Sequence, residues 1–529
     1  MPVNPPRATE VFIITICPLL LVCFLAVPRR GANRRVDLVA RFGILVTALA
    51  LALSVISATF LVGARSIHQE ILSLGMLRVG IYYDALSAVM LILVSFLAVI
   101  VIRFARTYLK GDPEQGYFLK WLCITLGGVL TLLVSGNLAQ LAIAWIITST
   151  GLHQLLMFNV HRSAAIIAAR KKFVVSRMGD IFLVSAIGLI YHVFGTGDLA
   201  KLFERVEALR GVSHTPALLT PICLLLVSAA ALKSAQFPFH TWLPDTMETP
   251  TPVSALMHAG IVNSGGFLIV RLSPLMSLSP LSLNALVVIG AVTAVYGCLA
   301  MLTQASIKRM LAYSTIAQMG FMLLECGLGA YSVAVLHIVA HSLYKAHAFL
   351  NSGTVGPRTR LAGAAGKSVS IKPLATIGAL IAAAVITVAA AQIPGMSQAR
   401  EPGDFVLNGI LLISLVYLLT HIWSGNLSPA LVIAGLIAAV GVGLGFGVLH
   451  IVCHYLLAGV TQPVPADLVT HTPAVKAFLL CVFAGLVLLQ LQISRLSSHP
   501  WFLALYVHAR NGFYLGTAAN RAIRAVWPV

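Results

Sequence analysis

The chain has 529 residues, 59% of them hydrophobic and only 10% charged, with a mean hydropathy of +0.95. This composition excludes an ordinary soluble enzyme and leaves no stretch for a soluble domain of useful size. A formal charge of +19 could suggest nucleic acid, but the basic residues cluster in short connections such as Arg29 to Arg35 and Arg170 to Lys172, the pattern of membrane topology.

Cut into apolar segments of about 20 residues, enough to cross ~30 Å of hydrocarbon, the sequence predicts an all-α polytopic membrane protein with roughly 13 to 15 transmembrane helices. The first run, 11–27, has no upstream basic stretch and no small-residue cleavage site, so it reads as a retained helix. Arg29 to Arg35 follow it, which places that connection in the cytoplasm and the N-terminus outside. Runs at 38–63 and 84–106 flank Arg65 to Tyr83, a polar, alternating stretch expected to form an extramembrane hairpin. Further runs lie at 119–136, 137–159 and 179–195, then at 218–237, 250–273, 281–304, 309–326 and 329–355. The last are at 373–392, 405–423, 430–458 and 474–493. Arg358 to Lys372 reads as a loop, and Ser494 to Val529 mixes Trp501, Phe502, Tyr506 and Tyr514 with His508, Arg510, Arg521 and Arg524, as interfacial amphipathic segments do. Eight cysteines are scattered without CxxC or Cys/His spacing, so neither a disulfide framework nor a zinc knuckle is indicated. Segments 119–240 and 281–395 are compatible with weakly related, inverted halves carrying broken helices.

The ionisable residues inside apolar runs are few, and each needs a reason to be there. Lys233 lies within 218–237, ahead of Pro238 and Pro244. An ammonium near the bilayer centre costs about 2.5–3.5 kcal/mol, so it persists where it faces a cavity, a carboxylate or an ion path. Asp180 reads as opening a helix just after Arg177, and could cap that helix, pair with Arg177 or serve transport. His258 sits in Ser254-Ala-Leu-Met-His258, and Lys308 starts a helix from which it could snorkel. His337, His341 and Lys345 recur at i, i+4 and i+8, hence on one helical face. The two histidines could be core residues or a metal pair, although no carboxylate joins them nearby in sequence. Arg177, His240, Asp245, Glu248, Glu325 and His347 are secondary candidates; Asp245 and Glu248, among Pro244, Pro250 and Pro252, could be loop carboxylates or a mid-membrane site. A file of titratable groups is what proton relay through internal water requires.

The segment from Ala231 to Gly260, with Phe237-Pro-Phe-His240 and His258, closely resembles the core motif of the antiporter-like proton-translocating subunits of respiratory complex I and Mrp antiporters. Phe173 to Asp180, Ile307 to Gly320 and His337 to Leu350 extend the resemblance, which covers residues 80–360. It implies that Lys233 is the central proton lysine and Asp180 a carboxylate near the entry half-channel. Lys308 and Lys345 would be relay groups leading onward, with His258, His337 and His341 completing the polar axis. Trp145, however, is followed by Ile146, Ile147 and Thr148, where the respiratory subunits carry the carboxylate that pairs with that lysine. After Lys372 the only lysine is Lys476, no helix offers an obvious exit group, and no long lateral helix is expected. With the segment His258 to Arg271 and the tail from Tyr506 to Pro528, these departures resemble the DabB family, membrane subunits of bacterial inorganic-carbon accumulation complexes.

That resemblance implies a multi-pass protein of the bacterial inner membrane that lets protons run down their gradient. It also implies a large cytoplasmic partner, a DabA-like, zinc-containing β-carbonic anhydrase-like subunit, in which the chemistry resides. The chain itself, without a nucleotide-binding glycine loop or a flavin, iron–sulfur or zinc ligand set, is expected to be no enzyme and to hold no cofactor or metal. Four regions are expected: N-terminal helices and hairpin over 1–110, an antiporter-like core over 111–395, C-terminal helices over 396–493 and an interfacial tail over 494–529. The other reading is a subunit of a complex I-type or Mrp Na+/H+ antiporter complex.

Overall fold

The computed structural model describes residues 8–61, 66–74, 77–159, 161–210, 216–353, 373–396, 398–399, 401–423, 428–462, 464, 473–496 and 498–527. The predicted loop Arg358 to Lys372 lies outside them. The first helices are α1 (Ala8–Val22), the short basic α2 (Arg29–Arg34) and α3 (Val36–Thr59). A hairpin of β1 (Ser66–Leu74) and β2 (Leu77–Asp84) follows, then α4 (Ala85–Tyr108), α5 (Gln115–Val134), α6 (Leu138–Leu156), α7 (Ser163–Phe194) and α8 (Leu199–Glu207). Next come α9 (Leu219–Lys233), α10 (Trp242–Asp245), α11 (Thr251–Ala259), α12 (Ser264–Arg271) and α13 (Ser273–Met276). They are followed by α14 (Pro280–Met301), α15 (Ile307–Gly327), α16 (Tyr331–Leu350), α17 (Pro373–Ala391), α18 (Asp404–Trp423), α19 (Pro429–Leu457) and α20 (Pro473–Leu491). Three short helices close the chain: α21 (Ile493–Leu496), α22 (Pro500–Arg510) and α23 (Leu515–Val526).

Among the described residues, 12 helical spans are long and apolar enough to cross a membrane. The α6 and α15 helices, of 19 and 21 residues, have comparable length, and α9 is a shorter apolar helix. Helices prevail because in hydrocarbon every backbone N–H and C=O must be satisfied within the segment. The outer surface is correspondingly apolar, with Leu45, Ile181, Val288, Leu374 and Val388 exposed, while Lys172, Lys233, His258 and Lys345 are buried. Small residues bring the helices close: a Cβ on Gly290 of α14 would meet the Gly320 backbone of α15 at 2.6 Å.

The predicted hairpin is present as an antiparallel pair running from Ser66 opposite Asp84. It is locked to the bundle from the inside. Asp84 caps α4 by accepting from Ser87 N at 2.9 Å, and its other oxygen meets Arg271 Nη1 of α12 at 2.5 Å, both side chains being 2% exposed. Arg271 Nη2 also donates to Ser87 Oγ at 2.6 Å. Removing one partner of such a pair strands a buried charge, a loss of about 3–5 kcal/mol. Arg271→Met is therefore expected to lower the thermal unfolding midpoint sharply, and an unchanged midpoint would show that the pair does not hold the hairpin. On its outer side the hairpin meets the cap of α8, where His68 Nε2 lies 2.8 Å from Asp198 Oδ2. Burial alone would raise the Asp198 carboxyl, but this contact and the backbone N–H of Lys201 hold it below its ordinary range.

At the opposite end of the bundle the tail straps the helices together. Tyr296 donates to Gly512 O at 2.9 Å, and Arg170 donates to Trp527 O at 2.9 Å while lying over the Trp527 ring. We call this end, which carries α2, the start of α7 and the tail, the basic face.

Two expectations need correction. Arg170 to Lys172 belong to no connection: they lie on α7, a single helix of 32 residues, with Lys171 and Lys172 both buried. Asp180 consequently stands mid-helix, so it caps nothing. The apolar run predicted to begin at 179 is only the second half of α7, whose first half has enough charge to hide it from a hydropathy reading.

Candidate functional site

The α9 helix ends at Lys233 because the chain cannot continue it. Ser234 and Gln236 close the last turn onto Ala230 O and Ala231 O at 2.9 Å each, and Ala235 takes φ +51°. That left-handed conformation costs a non-glycine residue about 1–2 kcal/mol, and Pro238 follows. Lys233 is thus the terminal residue of a broken helix and not the middle of a run, and a cation at a helix C-terminus is favoured by the peptide dipoles. Its ammonium donates to Ser149 Oγ at 2.7 Å and Trp145 O at 3.4 Å, and lies 4.2 Å from the Trp145 ring centroid. Helix α6 therefore meets Lys233 with a hydroxyl, a carbonyl and an aromatic face. Asp180, on the neighbouring α7, is paired with Arg177 at 2.8 Å.

From Lys233 inward the lining stays polar. Ser234 Oγ donates to Val262 O at 2.6 Å, at the interruption between α11 and α12, and Asn263 there donates to Ser342 Oγ of α16 at 2.8 Å. His258 is fully buried and stacks on Phe349, with both ring nitrogens unused by protein groups; Ser254 Oγ on the same helix is likewise unused. Such atoms are the lining that a file of internal waters requires. On α16 the predicted face is real. Lys345, also fully buried, donates to Ser314 Oγ at 2.7 Å and Leu311 O at 3.3 Å, and His341 and His337 follow with ring centroids 6.0 Å apart. His337 Nδ1 lies 2.9 Å from Glu325 Oε2 on α15. The carboxylate that sequence proximity did not offer is supplied by the adjacent helix, so the histidine pair faces an acid.

Beyond Glu325 the axis approaches the hairpin end of the bundle. Glu401, in the connection between α17 and α18, accepts from Ser332 N at 3.2 Å and so caps α16. Burial pushes its carboxyl up to about 8, which keeps much of it protonated near neutral pH. His450 of α19, almost fully buried, places Nε2 3.9 Å from Glu401 Oε2 and 4.0 Å from Asp404 Oδ1. The ligand atoms of these three side chains lie within 4.8 Å of one another, the one grouping among the described residues with the donors for a metal ion. No polar terminus of the axis was legible after Lys372; Glu401 precedes α18, Asp404 begins it and His450 comes from α19, so nothing in local spacing joins them.

Other candidates fall outside this axis. Lys308 is half-buried in the first turn of α15 and lines a basic-face cavity with Asp245, Glu248 and Arg524. Asp245 pairs with the buried Lys171 at 2.5 Å, and Glu248 with Arg162 at 2.9 Å, so both carboxylates belong to surface-proximal ion pairs. His240 is buried against Tyr296 near the tail, and His347 is exposed beside Asn351.

One group that sequence reading passed over stands beside Lys233. Lys172 of α7 donates to Ser149 O at 2.6 Å, so the carbonyl and the hydroxyl of one α6 residue hold two buried lysines. Its only sequence signal is that Arg170-Lys-Lys172 adjoins an apolar run, which reads as topogenic charge.

The description "NADH:quinone oxidoreductase/Mrp antiporter, TM" matches residues 135–440, and "NADH-Ubiquinone oxidoreductase (complex I), chain 5 N-terminus" matches 72–119. A probable inorganic carbon transporter subunit, DabB2 of Halothiobacillus neapolitanus, is 37% identical over 100% of this chain and 96% of its own. The chain belongs to the complex I/Mrp antiporter family, in its DabB group. A DabB subunit of Hydrogenovibrio crunogenus is 42% identical over 51% of this chain and 52% of that protein. NADH-ubiquinone oxidoreductase chain 5 of Metridium senile is 40% identical over 52% of this chain and 45% of that one. These two matches span about half of each relative. In solved structures the fold recurs in the Mrp complex of Dietzia sp., with TM-score 0.58 and 20% identity over 98% of this chain and 56% of that one. It recurs also in the archaeal membrane-bound sulfane sulfur reductase, with TM-score 0.58 and 18% identity over 97% and 99%. The DabB-group chain is thus a multi-pass antiporter-like membrane subunit.

Proposed function

We propose that this subunit conducts protons from the Glu401, Asp404 and His450 cluster along Glu325, His337, His341, Lys345, His258, Lys233 and Asp180, and that it couples the flow to inorganic-carbon accumulation. The observation that carries the reading is the succession of titratable groups, buried except for the half-buried His337, Glu401 and Asp404, across helices that otherwise present apolar surface to lipid. Each proton falling through 100 mV releases about 2.3 kcal/mol, enough when several are combined to hold a hydration reaction away from equilibrium. Lys308 would then be a basic-face residue near the mouth and not a member of the axis.

The chain belongs to a transporter-type family, and the catalytic chemistry is assigned to a partner: a large, zinc-containing, β-carbonic anhydrase-like subunit on the cytoplasmic side. The positive-inside rule puts the basic face in the cytoplasm, and its strapped tail offers that partner a firm surface. The match to DabB2 along the whole chain favours this reading over a respiratory or Na+/H+ antiporter complex, whose chain 5 relative matches over half.

Affinity purification of the tagged chain from its native host tests it. A large zinc protein is expected to co-purify, and the pair is expected to restore growth in air of a strain lacking carbonic anhydrase until a protonophore is added. Recovery of quinone-oxidoreductase subunits or several small antiporter subunits would replace the reading with the antiporter one.

A further inference from the structure

We propose that Lys172, held on the Ser149 carbonyl while Lys233 is held on the Ser149 hydroxyl, is the relay group through which Lys233 exchanges protons with the basic face, by way of His153. The proposal rests on the proton-conducting reading above and adds its cytoplasmic outlet. Three observations meet here. Lys172 is fully sequestered from solvent by its surroundings, and its hydrogen bond is to a backbone carbonyl at 2.6 Å and not to a carboxylate. A buried lysine serving only as a structural cation is normally matched by an acid, as the next residue shows: Lys171 has Asp245. Lys172 has instead a second lysine on the other oxygen of the same residue, and Asp180, the carboxylate whose charge reaches it, is paired with Arg177.

Two ammonium groups so placed repel each other, so protonation of one opposes protonation of the other and the pair titrates as a unit. That coupling is a relay property. When Lys172 is neutral it takes a proton from the Lys233 ammonium across an intervening water and then releases one to the basic face by way of His153; only N–H and O–H bonds change, and charge is conserved.

The third observation is the connection to solvent. His153 lies one turn beyond Ser149 on the same face of α6, close enough to Lys172 for their charges to interact, and its Nδ1 is unused by protein groups. His153 also lines an open cavity of about 800 Å³ on the basic face, together with Glu114, Tyr117, Gln154 and His161. In this arrangement α6, which lacks the expected acid after Trp145, supplies Ser149 and His153 as the scaffold of an outlet built on a lysine of α7.

The test is proton flux into liposomes holding the assembled complex, followed with an internal pH dye under a potassium diffusion potential. Arginine keeps the charge and donates to a carbonyl but does not release its proton, so K172R separates relay from scaffold. Both K172R and K172M are expected to lower flux at least tenfold while the complex assembles at wild-type yield, and H153F to lower it several-fold. Wild-type flux in K172R overturns the relay. If K172R fails to assemble, H153F decides, because its side chain lines an open cavity; wild-type flux there overturns the relay equally. A wild-type complex that conducts no protons would overturn the conducting reading itself, and the relay with it.

Discussion

Replacing Lys233 with methionine is expected to lower proton flux through the assembled complex about a hundredfold, the order lost when a positioned proton-transfer group is removed. Methionine fills most of the lysine volume and removes a charge whose burial costs about 2.5–3.5 kcal/mol, so the fold should be retained or gain stability. The groups left behind, Ser149 Oγ and Trp145 O, are able to hydrogen-bond water but do not take up and hold a proton at the end of α9. Bicarbonate accumulation in a strain lacking carbonic anhydrase should disappear with the flux. Accumulation at the wild-type level in a correctly assembled K233M complex would mean that the helix break at Lys233 is structural and the path lies elsewhere.

Lys345→Met is expected to abolish steady flux to a similar extent, about a hundredfold, but with a different early signature. Lys345 lies on the far side of the α11–α12 interruption from Lys233, on the helix that leads through His341 and His337 to Glu325. Protons entering from the hairpin end reach Lys345 first, so with Lys233 gone they still load Lys345 but do not pass beyond it. A rapid uptake of about one proton per complex should therefore survive in K233M and be absent in K345M, since single-turnover measurements separate loading from onward transfer. Loss of the burst in both variants would place the two lysines in one kinetic unit instead of in series. The expected melting behaviour is again near wild type, because the remaining partners, Ser314 Oγ and Leu311 O, are neutral.

Much of this site was legible in the chain because charges in apolar runs are rare and each carries an energetic cost. Lys233, His258, His341 and Lys345 were picked on that ground alone, and all four are buried. The i, i+4, i+8 spacing of His337, His341 and Lys345 fixed their common face, since helical periodicity is a local property. Lys308 was picked on the same ground and lies at the basic face, because a lysine in the first turn of a helix has solvent within reach of its long side chain. Lys172 was passed over for the converse reason. Basic residues at the start of an apolar run usually mark topology, and only the packing of α7 against α6 and α9 turns this one inward.

The sequence by itself determined that this is a polytopic helical membrane protein with a hairpin between its helices, that Lys233 is a charge in an apolar run ahead of two prolines, and that a file of histidines and lysines shares one helix. Those properties follow from hydropathy, proline and period, which act within a few residues of chain. Tertiary structure alone decided the partners: Glu325 for His337, Asp84 for Arg271, Ser149 for both Lys172 and Lys233, and His450 for Glu401 and Asp404. Each of these joins different helices, and in a bundle whose lipid-facing surfaces are interchangeably apolar, the choice of neighbour is made by close packing and polar satisfaction, which no local pattern encodes.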